Sequence, residues 1–308
     1  MSRESSKDED DLTKELKFQA DLASGKFTID VKKLLPSLEK IHTSGVDRGL
    51  STGWRNLDPL YRVRKGEMAI VTGIPGSGKS SFVDCLAMSL AQKHDWKFSL
   101  FSPENKPYQL HLRKLVEIHA GESLYKEEVI IEDEPPKITR MDSAKLAKGL
   151  QFCSEHFHWV DLPAPTLASL MEVWYQHIDK YKLDGLILDP WNEIEHATPK
   201  NMSETQYISF ALSIMREFAR LNQIALWIVA HPAKISRNKD GNFPVPSLND
   251  IAGSYAWRAK ADIGIVVHRE SSVENVLDIL VQKVRFKTSG KPGHTKLNYD
   301  YDCGRMYT

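Results

Sequence analysis

The 308-residue sequence is short of cysteine, of net charge and of long apolar runs, and each shortage argues against a class of protein. Its three cysteines, Cys85, Cys153 and Cys303, stand far apart and form no CxxC pair, which argues against a zinc ribbon or a disulfide framework. Cysteines this sparse fit a reducing compartment. Basic and acidic residues both number 41, so bulk charge advertises no nucleic-acid partner, although a local basic patch stays open. No apolar run reaches the roughly 18 residues of a membrane span, and the polar, acidic N-terminus lacks a signal-peptide pattern. What remains, 41% hydrophobic and 27% charged residues, is a soluble globular composition. The length suits one large domain, or a domain with an appendage, with a sizeable core.

Two parts are expected: an acidic tail and linker over 1–49, and a main domain over 50–308. Within the first, "LTKELKFQADLASG" has helical spacing at Leu12, Leu16, Gln19, Ala20 and Ala23 and a stop at Gly25. It reads equally as a linker helix that docks on a neighbour or as a locally packed helix. In the second, short apolar runs alternate with helical stretches: "MAIVT" (68–72), "FSLFS" (98–102), "HWVDL" (158–162), "GLILD" (185–189) and "ALWIVA" (225–230). Helices are expected near 79–93, 106–120, 141–156, 166–181 and 204–222. That alternation predicts an α/β fold with a mostly parallel sheet covered by helices on both faces. The later runs, 263–268, 276–284 and 295–300, follow one another without long helices, so the sheet should finish in antiparallel strands. The charged stretch 122–140, with its Pro135-Pro136 pair, reads as a surface excursion.

The chemistry begins at "GIPGSGKSS", residues Gly73, Ile74, Pro75, Gly76, Ser77, Gly78, Lys79, Ser80 and Ser81. The first eight match G-x-x-x-x-G-K-[ST], a P-loop, between an apolar strand and a helix. Its glycines let successive backbone N–H groups turn inward onto phosphate oxygens, and the following helix adds the positive end of its dipole. Lys79 offers a point charge to the β- and γ-phosphates and Ser80 a hydroxyl to Mg²⁺. ATP and Mg²⁺ are therefore the expected cofactors. Asp189, ending the run "GLILD", is placed to be the second magnesium anchor; a strand-end aspartate also serves as a helix cap. Glu104, after the strand "SLFS", should lie at the ligand edge of the sheet as a general base, or act as an acid near a helix N-terminus.

The ordered set "GIPGSGKSS", "LFSPE", "LILDPWN", "WIVAHPAK" and "KVRFKTSGKPG" resembles the RecA-type motor domain of the DnaB-like, superfamily 4 hexameric replicative helicases. The resemblance implies a RecA-like P-loop NTPase core and an ATP-dependent DNA helicase or translocase of 5′-to-3′ polarity. Glu104 then matches the catalytic glutamate, Asp189 the Walker B aspartate, and His231 the γ-phosphate sensor. Lys283 and Arg285 match the lysine and arginine finger that reach a neighbouring subunit's nucleotide; without the resemblance Arg285 reads equally as a strand-end surface residue. The loops from 231 to 262 match those that line the central pore. Lys234, Arg237 and Lys239 would meet single-stranded DNA there, with Arg258 and Lys260 in "GSYAWRAKAD"; a solvated loop with ordinary lysines is the alternative.

The implied partners are single-stranded DNA, copies of the same chain in a ring, expected to be a hexamer, and a primase or other replication protein; no membrane is implied. The implied location is the cytoplasm or another reducing compartment that holds DNA. The sequence shows no primase-type cysteine cluster, and only about 50 residues precede the motor, which fits a minimal helicase or the motor piece of a longer polypeptide. A RecA- or KaiC-like regulatory ATPase would share the fold without unwinding.

Overall fold

The computed structural model describes residues 28–128, 137–196, 202–233, 243–253, 255–270 and 275–308. The chain divides into two compact units, Met1–Asp47 and Arg48–Thr308. In the first, a 3-10 turn (Val31–Leu34) opens where the Asp30 side chain accepts from the Lys32 N–H, and it leads into α1 (Leu35–Ser44). Leu34, Leu35, Leu38 and Ile41 are exposed. The helix expected over Leu12–Ala23 lies outside the described residues.

In the second unit the chain runs β1 (Met68–Thr72), α2 (Lys79–His94), β2 (Phe98–Phe101), α3 (Tyr108–Ala120), β3 (Tyr125–Glu128), β4 (Lys137–Arg140) and α4 (Ser143–His156). It continues through β5 (Phe157–Trp159), α5 (Leu167–Tyr181), β6 (Gly185–Leu188), α6 (Glu204–Leu221) and β7 (Ala225–Val229). It ends with α7 (Ala256–Lys260), β8 (Ile263–His268), β9 (Val276–Val284), β10 (Gly293–Tyr299) and β11 (Met306–Tyr307). Nine strands make one sheet in the order β11-β10-β9-β8-β1-β7-β6-β2-β5. Strands β5, β2, β6, β7, β1 and β8 run parallel, and β9, β10 and β11 add antiparallel pairs. Strands β3 and β4 pair antiparallel in a separate two-stranded sheet.

Strand periodicity sorts the core into two layers. Ala69, Val71, Phe98, Leu100, Ile187, Trp227 and Val229 face α2, α3 and α4, where Phe82, Leu86 and Leu115 meet them. Met68, Ile70, Phe101, Leu186, Leu188, Leu226 and Ile228 face α5, α6 and α7, with Trp174, Met215 and Trp257. Both faces are dry because both are covered, which is why these strands read as unbroken apolar runs. Truncating a buried tryptophan such as Trp227 should cost about 3–5 kcal/mol. The parallel strands all end at one edge of the sheet, and this edge carries the site. No helix among the described residues is long and apolar enough to cross a membrane.

Candidate nucleotide-hydrolysing site

At the carboxyl end of β1 the chain turns through Gly73–Gly78 into α2. Gly76 and Gly78 take positive φ angles of 76° and 94°, which side chains resist. Gly73 is required by proximity instead: a Cβ there would sit 2.1 Å from the Val267 carbonyl oxygen and 2.6 Å from Ser77 Oγ. Lys79 is buried, and its Nζ donates to the Ile74 carbonyl at 2.9 Å, folding back over the loop. Burial lowers its pKa, while Asp189 and Glu104 hold it up. Ser77 Oγ is buried without a hydrogen-bond partner, an unsatisfied polar atom inside the loop.

Asp189 follows β6 and is buried, its N–H donating to the Phe101 carbonyl at 2.9 Å. Burial pushes its carboxyl up to about 6, against the pull of the Ser80 hydroxyl. A hydroxyl and a carboxylate held together this way suit Mg²⁺, which prefers hard oxygen ligands and keeps several waters. Glu104 sits in a short 3-10 turn (Pro103–Asn105) after β2, and its Oε1 lies 3.7 Å from His231 Nε2 at the end of β7. Burial lowers the His231 pKa, Lys79 adds to the effect, and Glu104 opposes it. The Thr72 hydroxyl donates to the Ala230 carbonyl at 2.7 Å, tying the P-loop strand to the strand that delivers His231.

Of these groups, Gly76, Gly78, Lys79, Ser80, Glu104 and His231 line a cavity of about 570 Å³ together with Pro75, Ser81, Arg269, Tyr299 and Tyr301. The last three escaped the sequence reading. The Arg269 guanidinium lies 5.2 Å from the Tyr299 ring centre and 5.6 Å from that of Tyr301, and its Nη1 donates to the Tyr301 hydroxyl at 3.2 Å. The two rings meet edge to face at 90°, so this is a cationic and aromatic wall beside a phosphate cradle that offers a ring face on which a base can stack. One faint signal in the sequence points there: Arg269 directly follows a six-residue buried strand at the ligand edge.

Lys283 and Arg285 stand elsewhere. Strand β9 runs antiparallel to β8, so its end lies at the opposite sheet edge: the Arg285 N–H donates to the Asp262 carbonyl and the Asp262 N–H to Met68. The five-residue length of β1, roughly 16 Å, therefore separates Arg285 from its own P-loop. Arg285 Nε lies 2.7 Å from buried Asp262, and its Nη2 donates to the Ala259 and Ala261 carbonyls at 2.8 and 3.2 Å. Lys283 Nζ donates to the carbonyls of Arg258 and Ala259. Burial, and Arg285 next to it, bring the Lys283 pKa down to about 8. Arg258 and Lys260, on α7, are half-buried at this same edge. Lys234, Arg237 and Lys239 lie outside the described residues.

The family model described as the DnaB-like helicase C terminal domain matches residues 49–307. The chain belongs to that family. A Twinkle homolog protein, chloroplastic/mitochondrial, of Arabidopsis thaliana is 35% identical over 269 residues, covering 85% of this chain and 37% of the relative. A probable replicative DNA helicase of Trieres chinensis is 24% identical over 306 residues, 96% of this chain and 64% of the relative. The chain thus spans between about a third and two thirds of these relatives. Among solved structures, an ATPase domain superposes with a TM-score of 0.71 at 18% identity, over 91% of this chain and 99% of that one. A DnaB-like replicative helicase, studied for its interactions with primase, superposes with a TM-score of 0.73 at 19% identity, over 94% and 71%. The fold is the RecA-like ATPase core of DnaB-like helicases, as the motif order implied.

Proposed function

We propose that the chain is the motor of a ring-forming replicative DNA helicase in which ATP is hydrolysed between adjacent subunits. In this reading the loop from Gly73 to Ser81 holds the triphosphate, and Ser80 and Asp189 hold Mg²⁺, which supplies charge neutralisation at the phosphates when bound. Glu104 orients and deprotonates the attacking water. His231, kept neutral, touches the γ-phosphate, and the wall of Arg269, Tyr299 and Tyr301 receives the base. A neighbouring subunit contributes Lys283 and Arg285.

One observation carries the reading. The hydrolytic residues gather at one edge of the sheet, while Lys283 and Arg285 are fixed at the other, about a strand length away from their own P-loop. A guanidinium there cannot serve its own nucleotide, and its hold by Asp262 and the α7 carbonyls gives it a set direction at the subunit's edge. Arginine fingers delivered in trans are a recurring solution in phosphoryl transfer. Because the finger edge is also where Arg258 and Lys260 stand, nucleotide state and the segment proposed to face DNA meet there. Single-stranded DNA as track, 5′-to-3′ polarity, a hexameric ring and a primase partner belong to this proposal, and membership of the DnaB-like family supports them.

The test is DNA-stimulated ATPase. Single-stranded DNA should raise the steady-state rate, and neutralising Lys234, Arg237 and Lys239 together should remove the stimulation and leave the basal rate. The log–log salt slope of DNA binding should flatten by roughly 0.7 per lost phosphate contact. No stimulation in the unaltered chain would instead support a regulatory ATPase.

A further inference from the structure

Between the helix that carries Ser80 and the helix that follows Glu104 lies a buried polar chain that no step above uses. Asp84 stands one turn after Ser80 in α2 and is buried. Its Oδ1 accepts from His111 Nε2 at 3.1 Å and its Oδ2 from Lys114 Nζ at 2.7 Å, both from α3. Trp159 in β5 donates its indole N–H to His111 Nδ1 at 3.1 Å. An indole nitrogen only donates, so Nδ1 must accept, and the imidazole proton sits on Nε2 facing Asp84. The tautomer is fixed, and the ion pair is Asp84 with Lys114. Burial alone would raise the Asp84 pKa; Lys114 and His111 outweigh it and hold the carboxyl well below the usual range.

The chain thereby clamps three elements, α2, α3 and β5, at one point. Glu104 needs such a clamp. Its own turn is short, it is about half exposed, and His231, the group it faces, is 3.7 Å away. It is held between β2, which ends three residues before it, and the start of α3, four residues on. Of the other ties of that start, those of Lys106 and Tyr108 to Asp161 are solvent-exposed, and exposed pairs of this kind contribute little, while the Tyr108 hydroxyl also donates to the Val160 carbonyl at 3.2 Å, part-buried. Removing one member of a buried pair has a much larger effect.

We propose that Asp84, Lys114, His111 and Trp159 are positioning residues that hold Glu104 in register with the P-loop. This rests on Glu104 being the general base. His111→Leu removes one of α3's two bonds to Asp84, leaving that of Lys114, and leaves the Trp159 N–H unpaired, so β5 drops out of the chain. His111→Gln can still donate to Asp84 and accept from Trp159. For each variant three quantities are measured: affinity for a fluorescent ATP analogue with Mg²⁺, ATPase rate per nucleotide-binding site, and amide exchange across residues 98–108. His111→Leu should bind nucleotide within twofold, exchange faster across that segment, and lose roughly ten- to a hundredfold in rate per site, as a displacement near 1 Å does. His111→Gln should recover most of the rate.

An unchanged rate per site, with only a lower melting temperature, would overturn the proposal and make the chain a stability element. Loss of nucleotide affinity along with rate would overturn it too, because the clamp would then serve the P-loop and not Glu104. If His111→Leu does not fold, Trp159→Phe, which removes only the last link, is judged by the same two criteria, with a smaller loss expected. Glu104→Gln measured alongside separates the failures. A normal rate there removes the general-base reading; a low rate there with a normal His111→Leu rate removes this inference alone.

Discussion

Replacing Glu104 by Gln subtracts basicity and one charge while keeping shape. The side chain is 51% exposed and faces His231 Nε2 at 3.7 Å. A half-exposed pair at that distance contributes about 0–1 kcal/mol, so the melting temperature should barely move. The rate should move a great deal: a general base is worth roughly 10²–10⁴-fold, or about 2.7–5.4 kcal/mol of barrier at about 1.36 kcal/mol per decade. Binding should hold or tighten. Glu104 places a negative charge beside the phosphate cradle, and Lys79 keeps its other carboxylate neighbour, Asp189. Single-turnover hydrolysis of labelled ATP, read beside equilibrium nucleotide binding, should show full binding and a slow chemical step. A fall in rate below threefold with binding intact would show that another group positions the water.

Gly73→Ala forces a Cβ to 2.1 Å from the Val267 carbonyl, a main-chain atom of a central strand that cannot give way. It should cost about 1–3 kcal/mol of stability and at least tenfold in nucleotide affinity, measured by thermal unfolding and titration. Asp189 should make Mg²⁺ binding pH-dependent, because burial raises its carboxyl to about 6 and the metal needs it ionised. Affinity should rise with pH through 6 and level off above, with proton release on binding at pH near 5.5 in calorimetry; a flat profile would refute it. The same shift fixes a stability sign. A carboxyl raised from 3.8 to about 6 contributes stability below 3.8 that is lost as pH rises through 6. Asp189→Asn should therefore stabilise the nucleotide-free chain at pH 8, by up to roughly 3 kcal/mol, while abolishing Mg²⁺-dependent hydrolysis.

The central strands were legible because burial on both faces leaves an unbroken apolar signature, as in "MAIVT" and "ALWIV", whose five residues are all buried. The β3–β4 pair was not: "YKEE" and "KITR" show no strict alternation, and their pairing was not visible in local pattern. The run "HWVDL" overstated β5, which stops at Trp159. In the site, the P-loop, Asp189, Glu104 and His231 could be read because each directly follows, or sits inside, a motif at a strand end. The wall of Arg269, Tyr299 and Tyr301 could not, because Arg269 meets the two tyrosines only through the β8-β9-β10 order of the sheet. The Asp84 clamp joins residues 27 and 48 positions apart, and nothing local announces it. Sequence resemblance offered Arg285 as a finger but not its hold by Asp262, which is a matter of β9 register.

The account turns on a site shared between subunits, and mixing two dead variants tests that most directly. Arg285→Ala keeps the P-loop and loses the finger; Lys79→Ala keeps the finger and loses the P-loop. Each alone should be nearly inactive, since a finger can be worth about 10³–10⁵ in rate. In an equal mixture about a quarter of head-to-tail junctions pair an intact P-loop with an intact finger, so ATPase should return to at most about that fraction. No recovery, with subunit exchange shown by mass measurement, would contradict the shared site.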